Sequence, residues 1–305
     1  MKLIDYINDS RLYDIIRIDN YSKLIDLLVS TNKDFHRIAV SEDYLETNDI
    51  CDIFSKYRDS VLLISSGDID FPPPKKPYSY TKYFNESLLP KNYKEINYYL
   101  KVHTDILPII EKNNLIVISH DVSVNEPRIL NMPIGAYHKF NHQYLRGRTK
   151  SQLCYANFSI PWHSYWFGDV RLQIFNIIKH KEFITMDNIK LSNSRPVDNC
   201  EHFYEQISIS KFAICPRGCG IDTYRLWDCL YLGCIPIVEK YDGHKEFDDL
   251  PIFFIDSFDS YKTLTSEFLE LKYIDMLNTV YNFSKLDFSY WKNQINLLCN
   301  KLVKE

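Results

Sequence analysis

The sequence predicts an α/β protein built on parallel sheets and organised as two units. Three observations carry that prediction. Short apolar, β-branched runs alternate with amphipathic stretches, the pattern of strand–helix–strand repeats. The best-defined run, "KFAIC" (211–215), is apolar after its opening Lys211, as a strand buried on both faces is. The length of 305 residues exceeds one average domain and fits two.

In the first half, strands are expected at 36–41, 60–66 and 115–120, with helices near 21–30, 47–58 and 92–112. Between them lies "GDIDFPPPKKPYSY", whose prolines exclude both helix and interior strand. In the second half, strands are expected at 152–160, 182–186, 211–215, 235–239 and 250–256. Helices fall at 169–180 and 200–208, and a last one at 287–303 closes the chain. The polar stretch "HKFNHQYLRGRTKSQ", with Gly147 between two arginines, marks the boundary, giving units of 1–148 and 149–305.

Composition narrows the function. Hydrophobic residues at 45% supply a core, and a net charge of −4 argues against a basic nucleic-acid-binding surface. The N-terminal "MKLIDYINDSRLYDIIRIDN" is charged in every turn and lacks the apolar core of a signal peptide. No stretch is apolar enough to span a membrane. The eight cysteines are then expected to stay reduced, in a soluble cytoplasmic protein. Cys215, Cys219, Cys229 and Cys234 cluster but contain no Cys-x2-Cys knuckle, so they read as small packing residues rather than zinc ligands.

The chemistry concentrates in "CPRGCGIDTYRLWDCLYLGCIPIV" (215–238). Pro216 ends a strand. Gly218 and Gly220 permit positive φ and close approach of a ligand. Asp222 or Thr223 can cap the following helix. Leu226, Trp227 and Leu230 recur at helical spacing and should face the sheet. Gly233 is the expected stop. Arg217 and Arg225 flank the helix start, where backbone N–H groups favour phosphate. Asp228 can accept from ribose hydroxyls or pair with Arg225. The bland alternative is an ordinary βαβ turn with a surface ion pair.

These residues resemble the C-terminal signature of the exostosin-like glycosyltransferases, family 47 and its soluble relatives. The match runs through Pro216, Gly218, Gly220, Asp222, Thr223, Arg225, Trp227, Asp228, Cys229, Leu230, Gly233, Ile235 and Pro236. Asp228 stands for the family's Glu and Cys229 for its Ala. "CYANFSIPWHSYWFGDVRLQIF" resembles the segment that carries a diphosphate-binding arginine, here Arg171. "NMPIGAYH" (131–138) resembles the stretch before the interdomain crossing. The resemblance implies a GT-B architecture, two Rossmann-like domains facing across a cleft, with the last helix returning to the first domain. It implies inverting transfer from a nucleotide-sugar, commonly a UDP-sugar, to a glycan acceptor, and a donor site of Arg171, Arg217, Gly218, Gly220, Asp222, Thr223, Arg225 and Asp228.

Inverting transfer needs a base for the acceptor hydroxyl. Two loops at expected strand ends offer one: "SSGDID" with Asp68 and Asp70, and "ISHDVS" with His120 and Asp121. Asp70 is the first candidate, then Asp68, then Asp121 or His120; each could equally be a turn-forming or capping residue. "DID" also has the Asp-x-Asp form that holds Mn²⁺ or Mg²⁺ in metal-dependent transferases, but the arginines already answer the diphosphate, so no cofactor is expected. The tyrosines of 77–84 and 161–167 could line an acceptor site. A second class remains: a non-catalytic glycan- or nucleotide-binding protein on a decayed transferase scaffold. An oxidoreductase is disfavoured, because no Gly-x-Gly-x-x-Gly follows an early strand.

Overall fold

A computed structural model describes residues 1–31, 34–40, 54–66, 107–120, 122, 125–136, 143–160, 168–187, 189, 200–218 and 220–302. The strands form two separate, wholly parallel sheets. The first holds β1 (Phe35–Val40), β2 (Val61–Ser66), β3 (Ile116–Ser119) and β4 (Ile129–Asn131), paired in that order. The second holds β5 (Gln152–Ala156), β6 (Ile184–Met186), β7 (Ser210–Ile214), β8 (Ile235–Glu239) and β9 (Phe253–Ile255). Its spatial order is β6-β5-β7-β8-β9. Two parallel sheets of this kind are the α/β architecture that the sequence predicts.

Among the described residues, the helices with both ends described are α1 (Leu3–Asn8), α2 (Ile18–Thr31), α3 (Gly168–Ile178), α4 (Cys200–Ile209), α5 (Tyr224–Tyr231), α6 (Ser266–Asn278) and α7 (Phe288–Leu302). The second sheet is dry at its centre: Cys154, Phe212, Ala213, Ile214, Ile235 and Ile237 are fully buried. Leu226, Trp227, Cys229 and Leu230 on α5 are buried with them, as helical spacing requires. Cys215 and Cys229 lie with their sulfurs 3.8 Å apart in this core, as reduced thiols. Gly233 ends α5 in the left-handed region at φ +66, the conformation a side chain disfavours.

Residues 1–148 do not all lie with the first sheet. Helix α1 sits on the second unit: Tyr6 stacks on Phe283 at 4.0 Å, and its hydroxyl donates to the Leu230 carbonyl at 2.9 Å. The described part of the polar boundary, from Gln143 on, is packed down as well. Arg146 is buried against the Tyr6 ring at 4.4 Å and donates to Tyr6 Oη and the carbonyls of Asp9 and Arg11. Gln143 closes a two-bond pair with the Tyr13 backbone. These acceptors offset much of the cost of burying the guanidinium, whose Nε has no partner among the described residues, and they lock the N-terminal segment down.

The last helix reaches the first unit as expected. The Phe288 N–H donates to the Asp14 carbonyl at 3.0 Å, and the Phe288 ring meets Tyr21 of α2 edge-on at 5.2 Å. The segment after β4 makes a second joint. Gly135, at φ +74, lies so close to α2's entry that an added Cβ would sit 2.2 Å from the Ile16 carbonyl oxygen. The Ala136 N–H donates to that same oxygen at 2.9 Å. Among the described residues no helix is long and apolar enough to cross a membrane.

Candidate functional site

The order of the second sheet locates a crevice. The connection after β5 leads to β6 on one side, and the connection after β7 leads to β8 on the other. Loops leaving adjacent strands in opposite directions open a gap at their carboxyl ends, where α/β proteins bind ligands. Ala156, at the end of β5, is paired with Ile214, at the end of β7. Above that pair lie Asn157–Ser159 on one side and Cys215–Gly218 on the other.

Arg171, in the first turn of α3, spans the gap. Its Nη1 donates to the Ser159 carbonyl at 3.1 Å, and its Nε donates to the Arg217 carbonyl at 2.8 Å. Both rims of the crevice are thereby tied to one guanidinium. Gly218 explains how it fits: an added Cβ would lie 3.0 Å from Arg171 Nη2. Gly218 is not in the positive-φ region. It serves through the missing side chain rather than through left-handed backbone, which corrects the expectation from sequence. The Gly218 N–H donates to the Gly220 carbonyl at 3.0 Å, closing the turn.

Arg217 is buried, with its guanidinium 5.5 Å from the Tyr241 ring centroid. The Tyr241 hydroxyl donates to Glu239 at 3.0 Å. Burial pushes the Glu239 carboxyl up, while that hydrogen bond and the Arg217 charge oppose the rise. His244 is fully buried nearby, accepting from the Tyr241 N–H at Nδ1. Burial and the Arg217 and Lys240 charges push its pKa down to about 3, so the ring is neutral.

At the start of α5 the two acids divide their work. Thr223 is the N-cap, its hydroxyl accepting from the Leu226 N–H at 3.4 Å. Asp222 is buried and points into the protein. Its carboxylate accepts from Trp227 Nε1 at 2.8 Å, the Thr223 N–H at 2.8 Å and the Ile134 N–H at 2.8 Å. It therefore clasps the segment after β4 to the start of α5. Burial raises its pKa to about 7, against the pull of those three donors.

Asp228 is also buried, at 3% exposure. Burial drives its pKa up to about 8, and the charges of Arg225 and Arg17 act the other way. Arg225 lies over the Phe203 ring at 5.9 Å, and its buried Nε has no hydrogen-bond partner among the described residues. The structure thus brings Arg171, Arg217, Gly218, Thr223 and Arg225 to the loops and helix starts above β5 and β7, and sets Asp222 and Asp228 behind them.

The candidate bases Asp68, Asp70 and Asp121 lie outside the described residues, as do the aromatic stretches 77–84 and 161–167. His120 is described: its Nδ1 lies 3.0 Å from the Met132 carbonyl, its ring meets Tyr21 edge-on, and burial lowers its pKa. The sequence reading missed a polar group beside the crevice. Asp187 follows β6 directly and holds His202 Nε2 at 2.9 Å. Tyr155 Oη lies 3.5 Å from the same carboxylate oxygen and accepts from Asn157 Nδ2 at 3.0 Å. An acid immediately after the apolar run "EFITM" was the available signal.

No family model and no curated protein matches the chain. Among solved structures, an alpha1,3-fucosyltransferase shares 12% identity, with a TM-score of 0.38 over 87% of this chain and 90% of that one. Spinosyn forosaminyltransferase SpnP shares 8% identity, with a TM-score of 0.29 over 90% of this chain and 79% of that one. Neither likeness is high enough to bear on function, which rests on the chain's own residues.

Proposed function

We propose that the chain is an inverting glycosyltransferase that moves a sugar from a nucleotide-sugar, in our reading a UDP-sugar, to a hydroxyl of a glycan acceptor. The observation that carries this is Arg171 spanning the crevice above β5 and β7 with Gly218 kept bare beside it. A diphosphate resting there meets a guanidinium already held in place. It also meets the positive end of α5 and the nearby cations Arg217 and Arg225. These groups stabilise negative charge as it develops on the leaving diphosphate.

The acceptor oxygen attacks the anomeric carbon, the bond from that carbon to the diphosphate breaks, and the acceptor proton passes to a carboxylate. We assign that carboxylate to Asp70, with Asp68 and Asp121 as alternatives. The cations supply the charge that a divalent metal supplies elsewhere, so turnover should need no metal. Thr223 holds the start of α5 through its cap, and Asp222 holds it against the first unit.

The burial of Asp228 favours one second reading, a binding protein on the same scaffold that no longer turns over its donor. Incubating the purified protein with a panel of UDP-sugars in EDTA and following UDP release separates the two. Release that is lost in Asp70→Ala, Asp68→Ala or Asp121→Ala supports the enzyme and names its base. UDP binding without release from any sugar nucleotide supports the second reading.

A further inference from the structure

We infer that Asp187 is the ribose-reading residue of the nucleotide site, with Tyr155 and His202 fixing its carboxylate. This rests on the donor site proposed above. The position argues first. Asp187 follows β6, the strand beside β5, and β5 forms one wall of the crevice. Its own N–H donates to the carbonyl of Ala156, the last residue of β5, at 3.1 Å. In parallel sheets wound this way, an acid at the carboxyl end of the neighbouring strand is placed to accept from the hydroxyls of a ribose. The phosphates of such a ribose lie at the adjacent strand-to-helix turn.

The two oxygens of the carboxylate are used differently. His202 and Tyr155 both address Oδ2 of Asp187. Oδ1 accepts from no described residue, and the side chain is 30% exposed. One oxygen is thus used for orientation and the other is left to accept. A ribose diol offers two donors, and a carboxylate is the acceptor that takes them most strongly. Asp228, the other acid that could serve, is only 3% exposed.

The surroundings agree. Phe203, next to His202 on α4, lies 6.5 Å from the Tyr155 ring and under the Arg225 guanidinium. The polar group at β6 and the cation on α5 therefore both adjoin one aromatic ring. A nucleoside extending from the crevice past that ring brings its ribose to Asp187.

The test compares UDP with 2′-deoxy-UDP by calorimetry on the full chain, in EDTA. The wild type should bind UDP about tenfold more tightly, the worth of one charge-assisted hydrogen bond. Asp187→Asn should lose most of that preference, chiefly by weakening UDP, with 2′-deoxy-UDP changed little. His202→Gln, which leaves the carboxylate in place but loosens it, should show an intermediate preference. A wild type indifferent to the 2′-hydroxyl overturns this inference and leaves the donor site standing. So does an Asp187→Asn protein that keeps the full preference. A wild type that binds neither nucleotide overturns the donor site and this inference together. The wild-type comparison decides even if a variant does not fold.

Discussion

Arg171 Nε donates to the carbonyl of Arg217 at 2.8 Å, and through that bond the helix after β5 holds the loop after β7. The two residues are far apart in sequence, and the bond joins the two sides of the crevice. Gly218 adjoins Arg217, and its missing side chain leaves room for Arg171 Nη2. Gly218→Ala should therefore fold, because its backbone lies outside the left-handed region. It should displace the guanidinium and weaken UDP about threefold to tenfold, the cost of a distorted charge-assisted bond. Thermal melting and calorimetry on one preparation separate the two effects.

Asp222 predicts the opposite pattern. Its three donors come from Ile134, Thr223 and Trp227, and all three lose their acceptor in Asp222→Ala. Buried donors left unpaired cost about 1–3 kcal/mol each. Urea denaturation should show a loss on the order of 3–5 kcal/mol or more. The fraction that folds should bind UDP much as the wild type does.

Asp228 gives a pH signature. Its pKa rises from 3.8 to about 8 on folding, mainly through burial. The folded protein therefore holds a proton that the unfolded chain releases above about pH 4. Raising the pH through the window from about 4 to about 8 then favours unfolding, and the effect levels off above it. Asp228→Asn removes this dependence. Its melting temperature relative to wild type should climb between pH 5 and pH 8, as melts at both pH values would show. Arg225→Ala, which removes an opposing charge, should extend the wild-type decline to higher pH.

Gly135 predicts a failure of assembly. A Cβ there would stand 2.2 Å from the Ile16 carbonyl oxygen, and the backbone is at φ +74. Neither the backbone oxygen nor the left-handed conformation can yield cheaply. Gly135→Ala should cost several times the destabilisation of Gly147→Ala, whose nearest neighbour is 3.9 Å away. Comparing soluble yield and urea midpoints of the two variants checks this.

The parallel sheets and the course of residues 211–239 were legible in the sequence because each strand there has an apolar centre, 212–215 and 235–238. Its ends are marked by Pro216, Thr223 and Gly233. Helix α1 and strand β4 were not. The first is six residues long and the second three, too short for either period to show. The arginines were legible as cations but not as geometry. Arg146 stands in the polar stretch that marks the boundary, and it is buried by carbonyls that only the fold assembles. Asp222 reads as a cap or a ligand contact, yet its partner Ile134 lies 88 residues away. Asp187 was missed because its meaning comes from the strand order β6-β5-β7, which no local pattern encodes.

The most direct test of the account is a calorimetric titration of the wild type and Arg171→Ala with UDP in EDTA, after circular dichroism shows both are folded. The wild type should bind without metal, and the variant should lose about 100-fold, the worth of a bidentate charged contact. Equal binding by the two proteins, or binding by the wild type only when a divalent metal is restored, would contradict it.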